Sequence, residues 1–205
     1  MCMDKLIVPI PEIANHQLPD ASLLQFYNDL ENRIYWIDDE INTYSYDLIQ
    51  YILKWNREDK DIPISERKPI RLIFCSPGGD LDVEEAIVSI INLSKTPIYG
   101  IAISCVASAA SLIYLSCHKK YALPNAYWIL HRGSCNISGT YDQVMAAMED
   151  YALQVEKMME FYQTHTKFTK AEIENNMGTD WYVRLDTALE KGMVDELVTD
   201  LEVLL

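Results

Sequence analysis

The sequence predicts an α/β fold with a largely parallel sheet. Two short, continuous apolar runs, IRLIFC at 70–75 and IYGIAI at 98–103, are typical of strands that are covered on both faces. Between them, LDVEEAIVSIINL at 81–93 places its apolar residues on one face of a helix. Strand, helix and strand therefore alternate along the chain, and this order favours parallel pairing.

The first third of the chain predicts smaller elements. Residues 1–22 contain three prolines and are predicted to be an irregular N-terminal arm, followed by a single domain at 23–205. A short helix and a strand at 33–37 come next. A second helix is indicated by apolar residues at helical spacing, namely Tyr44, Leu48, Ile49, Ile52 and Trp55. The polar segment 57–69 has two prolines and is predicted to be an exposed loop.

The segment after residue 103 predicts helices joined by short strands. An apolar helix begins after Ser108, and the stretch 121–131 reads as two short strands around a Pro-Asn turn. A long helix follows at 140–165, whose methionine and tyrosine side chains indicate core or subunit contacts.

The C-terminal part predicts two more helices and a closing strand. TKAE at 169–172 is a capping box that opens a helix. DTALEKG predicts a short helix with Asp186 or Thr187 as N-cap and Gly192 as C-cap. MVDELV at 193–198 is predicted to close the fold as a strand.

The composition excludes some classes of partner. The 205 residues are 49% hydrophobic and 23% charged, with a net charge of −14. Such an acidic chain is repelled by nucleic acid and by anionic membrane surfaces, so neither is expected as a partner. The five cysteines lack C-x-x-C spacing, which predicts reduced thiols. The N-terminus shows no signal peptide and no run of apolar residues long enough to span a membrane, so a cytoplasmic location is expected.

Gly78 and Gly79 are adjacent glycines between a buried strand and a helix. One interpretation is a tight turn and nothing more. The other is a site where backbone N–H groups bind an anion or an oxyanion. A phosphate-binding loop is not indicated, since no G-K-[ST] follows.

Four serines, Ser104, Ser108, Ser111 and Ser116, lie in an otherwise apolar stretch. Ser108 stands where a strand ends and a helix begins, so it is either an N-cap or a nucleophile at the positive end of the helix dipole. Ser111 and Ser116 are predicted to bond back to carbonyls one turn earlier, and Ser104 is also interpreted as structural.

A serine nucleophile needs a base, and the base usually needs an orienting carboxylate. Of His16, His118, His131 and His165, only His131 ends a strongly apolar strand that could deliver it to a cleft. The carboxylate stays open, because spacing does not choose among Asp142, Asp180, Asp186 and Asp195. The residues alone therefore indicate a Ser108–His131 dyad and do not identify its acid.

Four motifs resemble the family of Clp protease proteolytic subunits (ClpP), in the family's order and over residues 30–198. They are SPGGDLDVEEAI, CVASAAS, LPNAYWILH and DWYVRLDTALEKGMVDEL. The resemblance implies a catalytic triad of Ser108, His131 and Asp180. It also implies an oxyanion hole formed by the N–H groups of Gly79 and Ala109, and therefore a serine endopeptidase that acts through an acyl-enzyme.

The resemblance further implies a crotonase-like α/β fold of repeated β-β-α units with a protruding handle helix, the handle region being about 132–165. It implies heptameric rings, stacked in pairs as a tetradecamer. An AAA+ Clp unfoldase of the ClpX or ClpA/ClpC type would deliver unfolded polypeptides. No metal or cofactor is implied for this chain, since the unfoldase is the partner that uses ATP.

This sequence departs from the family pattern at four places. Ser104 and Ala109 replace a glycine and a methionine, Arg132-Gly133 replaces Gln-Pro, and Trp181 replaces an arginine associated with ring stacking. Two other functions are considered: a non-catalytic ring subunit and a crotonase-type acyl-CoA enzyme. The presence of all three triad residues favours the peptidase over both.

Overall fold

The computed structural model describes residues 20–204, and it confirms the predicted α/β class with a mostly parallel sheet. The helices are α1 (Ala21–Glu31), α2 (Tyr46–Glu58), α3 (Leu81–Leu93), α4 (Ala109–Ser116), α5 (Tyr141–His165), α6 (Lys170–Asn176) and α7 (Leu185–Glu190). The strands are β1 (Ile34–Ile37), β2 (Ile70–Ser76), β3 (Ile98–Ala107), β4 (Lys119–Ala122), β5 (Tyr127–Leu130), β6 (Trp181–Arg184) and β7 (Glu196–Leu197).

The sheet branches at its longest strand, β3. The order β1-β2-β3-β4-β7 is parallel throughout. β4 pairs with the first half of β3, whereas β5 pairs with its last residues, Cys105–Ala107. β6 then adds to β5 in the antiparallel direction. The carboxyl end of β5 therefore lies beside the end of β3, where the serine-rich stretch begins.

β3 is longer than predicted, since it ends at Ala107 rather than at Ile103. Ser104 and Cys105 are half-buried in it, and Val106 and Ala107 are buried. The pairing with β5 supplies hydrogen-bond partners for this extension. Local sequence cannot reveal such a partner, because it comes from a strand about 20 residues away.

The core lies between the sheet and helices α2, α3 and α4. All eight residues of α4 are buried. Its Tyr114 ring contacts Phe74 of β2 and Trp128 of β5, with centroids 5.5 and 5.6 Å apart. A helix that is apolar on every side belongs inside the molecule, which explains why the serine-rich stretch is so hydrophobic.

The predicted exposed loop at 57–69 contains a buried ion pair, so that prediction was wrong for Asp59. Asp59 is only 1% exposed. Its carboxylate accepts two hydrogen bonds from the Arg33 guanidinium, at 2.6 and 2.7 Å, and one from Thr96 Oγ1 at 2.8 Å. The guanidinium lowers the pKa of Asp59. The polar composition of the segment concealed this pair, whose partners are distant in sequence.

Three predicted helix details also differ. Tyr44 lies outside α2, in a short 3-10 turn, and is 87% exposed. The N-cap of α7 is Arg184, not Asp186 or Thr187, because β6 runs directly into this helix. Gly192 follows the C-cap residue Lys191 with a φ of +74°. This is the left-handed conformation that glycine commonly adopts just beyond a helix.

Helix α5 is long and mostly exposed in the single chain. It begins with a capping box of Thr140 and Gln143, and only Met158 and Tyr162 are buried. Tyr141, Met145 and Met148 are all exposed. The closing strand β7 has two residues, fewer than predicted. Within residues 20–204, none of the helices combines the length and the apolar character needed to cross a bilayer.

Candidate active site

Ser108 occupies the sharp turn between β3 and α4. Its φ is +51° and its ψ is −129°, a conformation that is uncommon for a residue with a side chain. Its backbone N–H donates to the carbonyl of Ile129 at 2.9 Å, which ties the turn to β5. Ser108 stands at the N-cap position, but its side chain makes no capping hydrogen bond. The hydroxyl is therefore available for another role.

Gly78 lies directly against this turn, and Gly79 lies against Ile41. A Cβ on Gly78 would come within 2.6 Å of both Ser108 Cβ and the Ala107 carbonyl oxygen. A Cβ on Gly79 would come within 2.1 Å of the Ile41 carbonyl oxygen. Both glycines have positive φ, +92° and +151°. Only glycine permits this approach, so the Gly-Gly pair is more than a tight turn between two elements.

Two backbone N–H groups remain unpaired beside Ser108. Ile41 N donates to Gly78 O at 2.8 Å and Asp80 N donates to Ile41 O at 2.9 Å, which leaves the N–H of Gly79 without a partner among residues 20–204. Ala109 begins α4, and its N–H also has no acceptor in that range. Free amides at a strained serine form the kind of donor pair that stabilises an oxyanion.

His131 and Asp180 are brought together by the antiparallel pairing of β5 and β6. The register places Leu130 opposite Trp181, so the residues just beyond the strand ends face each other. His131 Nδ1 lies 3.4 Å from Asp180 Oδ1. The His131 side chain is 25% exposed and that of Asp180 is 57% exposed. Of the four aspartates that spacing left open, Asp180 is therefore the one that contacts His131. Asp195 instead forms an ion pair with Lys120, at 3.1 Å.

Ser108 and His131 lie at the same edge of the sheet. Ala107 pairs with Ile129, and Ser108 N is bound to Ile129 O, so both side chains follow the ends of neighbouring strands. His131 Nε2 is buried and has no hydrogen-bond partner among residues 20–204, so the Ser108–His131 hydrogen bond is not formed in this structure. Catalytic hydrogen bonds are often long without substrate and shorten when it binds.

The chain after His131 is held by two helices. Arg132 N donates to the carbonyl of Met177 at 3.2 Å, and the Arg132 guanidinium donates to the carbonyl of Glu174 at 2.9 Å. Tyr151 Oη of α5 donates to the carbonyl of Arg132 at 3.0 Å. These bonds fix the direction in which His131 leaves its strand.

Tyr162 of α5 supports the Ser108 turn through Ser111, a contact that was not predicted from the sequence. Ser111 Oγ donates to the Ser108 carbonyl at 2.6 Å and lies 2.6 Å from Tyr162 Oη. Because the Ser111 hydroxyl donates its proton to the Ser108 carbonyl, the Tyr162 hydroxyl is the donor to Ser111 Oγ. Tyr162 is fully buried, and burial raises its pKa. The back-bonding predicted for Ser111 and Ser116 is confirmed, but the link to α5 was visible only as one tyrosine on an apolar helix face.

We expect Tyr162→Phe and Ser111→Ala each to lower kcat for peptide hydrolysis about fivefold with little change in KM. A hydrogen bond of this kind contributes about 1 kcal/mol, and here it supports the strained Ser108 backbone. Ser116→Ala is the matched control, since its hydroxyl bonds to Leu112 O at 2.9 Å in the same helix, away from Ser108. Equal kcat values for Ser111→Ala and Ser116→Ala at similar loss of stability would contradict the positioning role.

The remaining predicted site features lie elsewhere. Cys75, Cys105, Cys117 and Cys135 are free thiols, whereas Cys2 and His16 lie outside the described residues. His118 accepts a hydrogen bond from Ile98 N at 2.9 Å, and His165 stacks on Phe161. Within residues 20–204, no group of three or more histidine, cysteine or acidic side chains has the arrangement of a metal site.

Comparisons with known proteins agree on one family. The family model for Clp protease matches residues 20–200. The ATP-dependent Clp protease proteolytic subunit 2 of Treponema denticola is 29% identical over 140 residues, covering 65% of this chain and 68% of that protein. The Clp protease proteolytic subunit of Dehalococcoides mccartyi is 27% identical over 172 residues, covering 82% and 83%.

A solved structure shows the same fold. A variant of ClpP1 from Listeria monocytogenes superposes with a TM-score of 0.73 at 21% sequence identity. The match covers 88% of this chain and 99% of that one.

Proposed function

Because this chain belongs to the Clp protease family, we propose that it is a serine endopeptidase that hydrolyses unfolded polypeptides through Ser108, His131 and Asp180. The observation that carries the proposal is the 3.4 Å contact between His131 Nδ1 and Asp180 Oδ1 at the sheet edge that Ser108 occupies. A carboxylate at Nδ1 orients the imidazole and leaves Nε2 to act as the base.

The proposed mechanism uses only groups of this chain. Ser108 Oγ attacks the peptide carbonyl carbon while His131 Nε2 takes its proton, and Asp180 stabilises the resulting imidazolium. The N–H groups of Gly79 and Ala109 bind the oxyanion. His131 then gives the proton to the leaving amine, and the C–N bond breaks to form an acyl-enzyme. His131 next deprotonates a water molecule, whose attack releases the acid and restores the Ser108 hydroxyl.

We further propose that the chain works in heptameric rings that stack as a tetradecamer. The exposed side chains of Tyr141, Met145 and Met148 on α5 support a contact between copies there. Trp181 packs on Phe168, with centroids 4.5 Å apart, so its ring is engaged within the subunit. An AAA+ Clp unfoldase of the ClpX or ClpA/ClpC type would use ATP and supply substrate in the cytoplasm. The proposed reaction needs no metal or cofactor.

One observation favours a second candidate, a non-catalytic ring subunit. The hydrogen bond between Ser108 and His131 is not formed, and Asp180 is 57% exposed. A subunit that only completes a ring with active partners would tolerate this loose arrangement. The two candidates differ in whether the Ser108 hydroxyl is nucleophilic in the assembled protein.

Covalent labelling tests the proposal. We expect a fluorophosphonate probe to label Ser108 in the assembled protein, as mapped by peptide mass spectrometry. Labelling should be absent in Ser108→Ala and strongly slowed in His131→Ala, because the hydroxyl then lacks its base. Native mass spectrometry of the same sample measures the ring size. A folded ring that takes up no label would overturn the peptidase and support the non-catalytic subunit.

A further inference from the structure

Glu84 is a buried acid that the proposed mechanism does not use. It lies on α3 and is only 4% exposed. Its carboxylate has no hydrogen-bond or ion-pair partner within residues 20–204. Burying such a group is costly unless it is paired. The Glu84 oxygens are not sealed inside the protein, so they can bind a partner that enters from the adjoining cavity. The side chain lines a cavity of about 190 Å³ between α3, α4 and α5.

The cavity is lined by residues that follow closely after the two free amides, although the amides themselves do not line it. Leu81 and Leu112 both line it. Leu81 is the second residue after Gly79, and Leu112 is the third after Ala109, one turn into α4. A substrate carbonyl bound by those two amides would therefore lie about one helical turn from the wall of this cavity. The side chain of the residue that carries the carbonyl is the part of the substrate that can enter.

The walls and the charge of the cavity suit a long basic side chain. Leu81, Val88, Leu112 and Met158 line it with apolar groups, against which the methylene stem of arginine or lysine can pack. Glu84 also lines the cavity and offers two acceptor oxygens, which match a guanidinium in a paired geometry.

Other charged groups around the cavity do not neutralise Glu84. Burial and the nearby Glu85 raise the pKa of Glu84 to about 8. Lys157 of α5 also lines the cavity, but it is exposed and is not paired with Glu84. Tyr162 of α5 is uncharged, since burial raises its pKa. A cation entering the cavity would ionise Glu84 and supply the partner it lacks.

We propose that Glu84 is a specificity-determining residue, and that the cavity binds the side chain of an arginine or lysine that precedes the scissile bond. This inference rests on the proposed peptidase function, because it concerns the substrate of that same site. It assigns to the cavity a chemical class of ligand, a basic side chain with an aliphatic stem.

Two fluorogenic peptides that differ only in arginine or citrulline before the cleaved bond test the proposal. Citrulline has nearly the shape of arginine without its charge. We expect kcat/KM to favour arginine about tenfold in the wild-type ring, because a charged hydrogen-bonded pair is lost with citrulline. The ratio should rise between pH 7 and pH 9, since Glu84 ionises through about pH 8 while arginine stays charged. His131 acts on both peptides alike, so its effect on kcat/KM cancels in the ratio.

Glu84→Gln removes the charge and keeps the size, and Glu85→Gln is the matched control on the exposed side of the same cavity. We expect the ratio to fall to about one in Glu84→Gln and to persist in Glu85→Gln. Fluorophosphonate labelling of Ser108 is measured in the same samples. If Ser108 is labelled but the arginine-to-citrulline ratio of kcat/KM is equal in wild type and Glu84→Gln, the inference about Glu84 is overturned and the proposed peptidase function is retained. Absence of labelling in folded rings overturns both.

Discussion

Ser108→Ala is expected to lower kcat for peptide hydrolysis by about a millionfold, to the level left by binding and the oxyanion donors alone. In the proposed mechanism the hydroxyl is the attacking atom, and His131 and Asp180 act only through it. Stability should hardly change, because the Ser108 side chain is half-buried and makes no capping bond. The measurements are steady-state peptide hydrolysis and a thermal unfolding midpoint.

Ser104→Ala is the matched control for this experiment. It removes a hydroxyl from the same stretch, four residues earlier on β3, where the side chain is also half-buried. We expect its kcat to stay within about twofold of wild type, because substitutions away from a site or a buried network usually have small effects. Comparable losses in the two variants would mean that the stretch needs hydroxyls for structure and that Ser108 is not the nucleophile.

Gly79→Ala is expected to lower kcat by about 10²- to 10³-fold and to destabilise the fold as well. The new Cβ would lie 2.1 Å from the Ile41 carbonyl oxygen, and the φ of +151° disfavours any side chain. The backbone must shift, and the Gly79 N–H then leaves the position where it can donate to the oxyanion. Loss of one such donor has an effect of this size. A peptide hydrolysis assay and a denaturant unfolding curve measure the two effects.

Gly178→Ala provides the comparison, since within residues 20–204 no atom beyond its chain neighbours lies within 4 Å of the Cβ it would add. Its stability and kcat should match those of the wild type. If Gly79→Ala behaved like Gly178→Ala in both assays, the Gly79 amide would have no part in the reaction and the oxyanion hole would need other donors.

Several elements were predictable because their signals are local. The apolar run at 70–75 and the helical pattern at 81–93 became β2 and α3 with nearly the predicted bounds. The capping box at Thr169 and Glu172 opens α6 as predicted. Each of these signals depends on residues within one or two turns, where hydrogen bonding and periodic burial act directly.

The features that local sequence did not reveal share a different origin. Asp59 was assigned to an exposed loop, yet Arg33 holds it in the interior from 26 residues away. β3 continued to Ala107 because β5 pairs with its end. Ser108 stands at the N-cap position without capping, since its backbone is held at a positive φ by contacts with β5 and with Gly78. In each case a partner distant in sequence overrode the local preference.

The sequence by itself determined the α/β class, the placement of Ser108 at a strand–helix junction and of His131 at a strand end, and, through its motifs, the family. These features follow from the composition, from the periodicity of the apolar residues and from the order of the motifs along the chain. Only the tertiary structure decided which aspartate meets His131, that Tyr162 supports the serine turn, and that Glu84 is buried without a partner. Contacts of this kind depend on strand register and helix packing, which join residues that no local spacing connects.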